Sequence, residues 1–425
     1  MKNLIFILSL LFLSAGCSDF FNPTIVEEVK GPSSDLPNPF EKETGEGSNP
    51  FPKDFDPNAG TFSEAKMLAN IGLNVIFPEA RNFRVEVEAL KLRLSEYCQD
   101  LQSMEPLKTQ WKNAMKAYHK LAAIPVGPLA ENDRLAMAYL YSWPSANSCG
   151  VDVQVEKMSR IGKIEGELIV SVKGLDALEY LIFEDQLQST CNLNSPLFRK
   201  VKDWVERPES EKRKDRCAFS KHLMSEIESI ANWLESSWDP QKRNFSKELY
   251  EGKGFSSVHE AVNAVSDAMF AIEEVKDERL GVPLGLHSDC TADQCPERVE
   301  HPWSQSEWTA IEQRVLGFEA VYFGGYDKVS KHFGFDDFLN SSGHGAVASS
   351  LKEKFLAVEA LLKDAKAQGP LTAQVQASSG CGSQGSPEKL CQLFWAVKNL
   401  SSSLKLDLLS ALSLKAPPVY QGDND

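Results

Sequence analysis

Two carboxylates three residues apart, Asp176 and Glu179, sit in the apolar run Gly174-Leu-Asp-Ala-Leu-Glu-Tyr-Leu-Ile-Phe183. On a helix they project from one face. Acids on the buried face of a helix are costly unless a cation, a base or hydrogen-bond donors compensate them. One reading makes Asp176 and Glu179 ligands of a metal ion. The other gives Glu179 a buried hydrogen bond or ion pair and leaves Asp176 at the start of its helix, just after Gly174. The seven histidines, at 119, 222, 259, 287, 301, 332 and 344, include no H-E-x-x-H and no tight metal spacing. No Gly-x-Ser-x-Gly, Cys–His or zincin signature and no Gly-rich phosphate loop is present. A peptidase needs a metal-bound water with a general base, or a nucleophile beside a base, and the sequence supplies neither pattern. Glu300 and Asp336–Asp337 are further acids for the same interface, which sequence does not place.

Nine cysteines bear on compartment. Leu4–Leu13 is a short apolar run after Lys2, and Leu13-Ser-Ala-Gly-Cys17 resembles a lipobox, with Ser14 where Leu is commoner. It predicts a lipoprotein signal peptide over 1–16, cleavage before Cys17 and lipid attachment to that residue. The chain is then anchored to a membrane without a transmembrane helix. The remaining eight, Cys98, Cys149, Cys191, Cys217, Cys290, Cys295, Cys381 and Cys391, suit disulfides in an exported chain. Cys290–Cys295 and Cys381–Cys391 each close a loop rich in Gly, Ser or Asp. Elimination leaves Cys98–Cys149 and Cys191–Cys217. C-x2-C spacing for zinc is missing.

The elements that must position the acids read as helices. Residues 17–60 are rich in Pro, Gly, Ser and acids and carry Asn-Pro-Phe at 38–40 and 49–51, which predicts a flexible tether. Apolar residues at helical spacing follow Ser63 as far as Pro78, which is expected to break or kink that helix. Helices are expected over 83–98, 104–123, 131–141, 152–161, across 174–183, and over 214–238, 256–277, 305–323, 343–366 and 387–412. Strand-like alternation is nearly absent, so the body is all-α. It divides into an N-terminal bundle half, 61–238, and a C-terminal half, 254–412, joined by a mixed-charge linker and followed by a loose tail, 413–425. With 60 Asp+Glu against 45 Lys+Arg the net charge is −15, which argues against nucleic acid and against docking on anionic lipid through a basic face.

Several blocks in order resemble the imelysin-like family: Asn74-Val-Ile76 before Pro78; Trp111 through Gly127-Pro128; Trp143-Pro144; Gly174–Phe183; Arg216-Cys217; Leu280-Gly-Val-Pro-Leu-Gly285; Glu300 with the helix from Ser304 to Gly325; and Gly334-Phe-Asp-Asp-Phe338. The resemblance covers most of 61–412. It implies two helical-bundle halves in the bacterial cell envelope, a link to iron, and a classification among peptidases. The family's G-x-H-x-x-E signature is matched at Gly174 and Glu179, but Asp176 stands in place of the His. Ala122 stands where some relatives carry a Glu. Asp is a competent ligand for hard cations and iron, so the change shifts the expected site toward oxygen ligands. The expected function is a lipid-anchored envelope protein, on the outer membrane, periplasmic or surface face, that binds iron or another divalent cation or an iron-linked protein partner. The alternatives are a metallopeptidase and a surface lipoprotein with a structural or interaction role.

Overall fold

The computed structural model describes residues 50–101, 103–327 and 332–415. The described residues form helices and turns with no strand, so the all-α expectation holds. Cys17 and the first Asn-Pro-Phe lie outside the described residues. No helix among those residues is long and apolar enough to cross a membrane.

The first rod begins at Ser63, whose Oγ accepts from the Lys66 N–H at 3.3 Å and caps Glu64–Asn70. Pro78 does not end the helix. A π-helical turn, Ile71–Ile76, carries the chain into Phe77–Asp100, and Phe77 N–H donates to Gly72 five residues back. Pro78 lies in the first turn of that second segment, where its missing N–H is not needed.

Phe77–Asp100 packs against Glu105–Ala122 and against the 30-residue helix Glu209–Trp238. Its stripe of Phe83, Val87, Leu90 and Leu94 is buried in those contacts. The Glu105–Ala122 helix also crosses Glu307–Tyr322 from the C-terminal region. Gly317 permits that crossing, because a Cβ there would stand 2.3 Å from the Lys120 carbonyl oxygen. Residues from both halves thus share one hydrophobic core.

Two segments expected to be loose are packed. In the mixed-charge stretch 239–253, Phe245–Glu251 is helical, Phe245 stands edge-on to Trp238, and Arg243 pairs with Glu131 and Glu248. At the end of the predicted tether, Phe51 stacks on Phe55 and both meet Tyr250, while Asn58 accepts from Phe333 N–H.

Four disulfides are formed among the described residues. Cys290–Cys295 and Cys381–Cys391 pair as expected. The other two pairs correct the elimination: Cys98 joins Cys217, and Cys149 joins Cys191. Helix packing decides this, since Phe77–Asp100 lies along Glu209–Trp238 and brings Cα atoms 119 residues apart in sequence to 5.7 Å. Proteolysis without reduction, read by mass spectrometry, is expected to yield a Cys98–Cys217 cross-linked peptide. Recovery of Cys191–Cys217 instead would contradict this helix packing.

Candidate metal centre

The Gly174–Phe183 helix is held at both ends. Gly174 starts it with φ +85°, and a Cβ there would lie 2.7 Å from the Leu140 carbonyl oxygen. At the far end Arg216 donates to the Glu184 carbonyl at 2.7 Å and to its carboxylate at 3.0 Å. Tyr180 donates to Asp152. Trp111 Nε1–H donates to the Leu175 carbonyl at 2.9 Å and ties this helix to Glu105–Ala122. His119 lies two turns beyond Trp111 on the same helix and therefore points the same way.

The second half of the site comes from the turn 299–304. His301 holds a left-handed backbone, φ 60°, a conformation uncommon outside glycine and concentrated at functional sites. This turn aims His301 Nδ1 at Glu179 Oε2, 2.9 Å away, while Ser304 N–H donates to Glu179 Oε1 at 2.9 Å. His301 Nε2 and His119 Nε2 converge to 2.8 Å. Glu300 completes the group: ligand atoms of His119, Glu300 and His301 all lie within 4.8 Å of one another, and all three residues are buried. Arg279, from the π-helical turn Val275–Gly281, grips Glu300 with Nε at 2.8 Å and Nη2 at 3.2 Å, and its guanidinium lies over the Trp143 ring.

Electrostatics follow from this burial. Desolvation pushes His119 well below the usual histidine value, helped by positively charged neighbours, so its imidazole is neutral at pH 7. Burial opposes the charged form of His301 too, but the Glu179 charge and hydrogen bond raise its value above normal. The two Nε2 atoms are close enough to share one proton. Burial alone would raise Glu300; Arg279, with the two imidazoles, instead holds it below the usual carboxylate range.

The two sequence-predicted ligands are placed differently from each other. Glu179 has both oxygens engaged, by His301 and Ser304, and orients an imidazole as outer-shell carboxylates do at metal sites. Asp176 is not part of the three-residue cluster. Its Oδ2 accepts from Ser142 N–H at 3.1 Å and from the Ser142 hydroxyl, and its buried Oδ1 has no hydrogen-bond partner. Burial raises the Asp176 carboxyl to about 7, against the opposing Ser142 hydrogen bonds. Asp176 also lines a cleft of about 220 Å³ with Trp143, Asn147, Tyr180, Arg298 and Trp303. Of the further acids, Glu300 joins the site, whereas Asp337 accepts from Gly334 N–H at the start of Phe335–Ser341. Cys381, Glu388 and Cys391 also cluster, but both sulfurs are taken by a disulfide.

The histidines were the residues that sequence spacing missed. His119 and His301 are 182 positions apart, so no local pattern joins them. The available signals were slight: His119 shares the Trp111 face, and His301 adjoins Glu300.

The imelysin family model matches residues 76–384. An imelysin-like protein from Psychrobacter arcticum 273-4 is similar in structure, with TM-score 0.59 at 15% identity over 86% of this chain and 98% of its own. A protein named as an iron-regulated protein A precursor, from Parabacteroides distasonis ATCC 8503, gives TM-score 0.63 at 14% identity over 83% and 97%. At such identities the likeness is one of fold. No curated protein gave a significant match.

Proposed function

The chain belongs to the imelysin family, and on that premise we propose that it is a lipid-anchored envelope protein that binds iron or another divalent cation at His119, Glu300 and His301. One observation carries the reading: two buried imidazoles bring their Nε2 atoms 2.8 Å apart beside a buried carboxylate. Two imidazoles and a carboxylate suit iron and zinc alike. With Glu179 holding the Nδ1 proton of His301, Nε2 is free to act as a donor. When bound, the cation would share Glu300 with Arg279 and take the place of the proton between the imidazoles.

The departures from the family signature make sense on this reading. Asp176 replaces its histidine, and His301 brings an imidazole from another segment. Ala122 replaces an acid, and His119 stands one turn earlier on the same helix. The structural neighbour named as iron-regulated supports iron as the cation. Membrane attachment rests on the lipobox at Cys17. Burial of all three ligand residues favours binding over the metallopeptidase alternative, since a peptide must reach a metal-bound water to be cleaved.

Equilibrium dialysis with elemental analysis on the detergent-solubilised full chain tests the proposal. About one cation per chain is expected. Glu179→Gln should weaken binding by about 10–100-fold by freeing His301, and His301→Ala should abolish it, with helical circular dichroism retained in both. Uptake indifferent to both substitutions would refute the site.

A further inference from the structure

We propose that the cleft lined by Trp143, Asp176 and Arg298 is a second binding site, one that takes a small zwitterion with a flat apolar body, of the aromatic amino acid class. His119, Glu300 and His301 do not line it, so the inference stands apart from the metal reading.

The protein itself fixes the walls. Asn147 caps the Ser148–Ile161 helix by accepting from Gly150 N–H at 2.9 Å, and its own N–H donates to the Ser171 carbonyl at 2.7 Å. The Ser148 hydroxyl accepts from Thr190 Oγ1 at 2.8 Å, next to the Cys149–Cys191 disulfide. Tyr180, held by Asp152, has its ring centroid 5.0 Å from that of Trp303. Trp143 packs on the Arg279 guanidinium. A largely pre-formed concave surface with aromatic walls and few polar groups is the usual form of a small-molecule site. At about 220 Å³ the cleft is smaller than the sites of drug-sized ligands, about 300–1,000 Å³, and suits a ligand of amino acid size.

Its polar groups define the charge of that ligand. Arg298 is partly buried, and its guanidinium makes no hydrogen bond or ion pair with any described residue. The exposed carboxylate of Glu297 beside it makes none either. Asp176 is 7% exposed, and its buried Oδ1 has no hydrogen-bond partner. A free guanidinium calls for an anionic group, and unpartnered carboxylate oxygens call for N–H donors. A simple anion would be opposed by the two acids and a simple cation by Arg298. A carboxylate and an ammonium on one molecule satisfy both, and the rings of Trp143, Tyr180 and Trp303 favour an aromatic body between them.

Isothermal titration calorimetry of the detergent-solubilised full chain with L-phenylalanine, in the presence of a chelator, tests the proposal. Phenylalanine is expected to bind. Phenylpropionate, phenethylamine and L-alanine lack in turn the ammonium, the carboxylate and the ring, and each should bind about tenfold or more weakly. Arg298→Ala should weaken phenylalanine by a similar factor and leave phenethylamine unchanged, a split that misfolding would not produce. Circular dichroism checks that the variant keeps its helices. Failure of phenylalanine to bind, phenylpropionate bound as tightly as phenylalanine, or a phenylalanine affinity indifferent to Arg298→Ala overturns the inference. Because the chelated chain carries no metal, none of these outcomes bears on the metal centre.

Discussion

Replacing Arg279 by methionine is expected to lower folding stability by about 3–5 kcal/mol at neutral pH, with the deficit shrinking as the solution is acidified. The methionine keeps much of the apolar stem and loses the guanidinium that lies over Trp143. Arg279 and Glu300 are 2% exposed each, and the guanidinium binds the carboxylate through two nitrogens. A buried pair adds little net stability when intact, but removing one partner strands the other charge in a poorly solvated site. The sign of the pH dependence follows from Glu300. In the native chain Arg279 holds its folded value below the unfolded one despite burial. Its contribution is therefore present above the unfolded carboxyl value, about 4.3, and is lost as pH falls through the folded value. In the variant, burial acts without Arg279 and favours the neutral acid, so protonation near the ordinary carboxyl range relieves the penalty. Urea melts at pH 7 and pH 4 measure the difference. A penalty of equal size at both would mean that lost packing, and not the buried charge, is responsible.

The same ion pair shows what the sequence could and could not convey. Glu300 was recognisable as an acid in a family block, but its partner lies 21 positions away in a π-helical turn that no apolar period announces. Helix faces were legible because the signal is local: Phe83, Val87, Leu90 and Leu94 repeat with the helix and are buried together. The π-helical turn before Pro78 was not legible, since it differs from an ordinary helix by one residue of register. Disulfides divide in the same way. Pairs 5 and 10 residues apart could be read from their loops, whereas Cys98–Cys217 needed the helix pairing first. For the site, Glu179 was visible through its motif. Its role as the orienter of His301 depended on a turn 122 residues later.

Asp176→Asn is expected to stabilise the chain at pH 8 and to destabilise it at pH 4. The folded carboxyl value is raised to about 7, with burial outweighing the two Ser142 hydrogen bonds. An unfolded aspartate titrates near 3.9. Between those values the folded chain holds a proton that the unfolded chain has released, so stability falls as pH rises across that window. The full cost above pH 7 is at most about 4 kcal/mol, because each tenfold change in acid strength between the folded and unfolded chain is worth about 1.36 kcal/mol. Asparagine carries no such cost, but its amide nitrogen would take the place of the partnerless Oδ1, or its oxygen would lose Ser142, at about 1–3 kcal/mol. The net effect is then a gain of about 2 kcal/mol at pH 8 and a loss of about 2 kcal/mol at pH 4. Parallel urea-melt profiles for wild type and variant across this range would show that Asp176 does not titrate in it. A gain of the expected sign would place Asp176 among the side chains held against folding stability, and such local conflicts concentrate at functional sites. It lines the cleft beside the metal centre, and its buried Oδ1 has no hydrogen-bond partner. A residue that merely began a helix would not carry that cost, because a solvated carboxylate would serve as well.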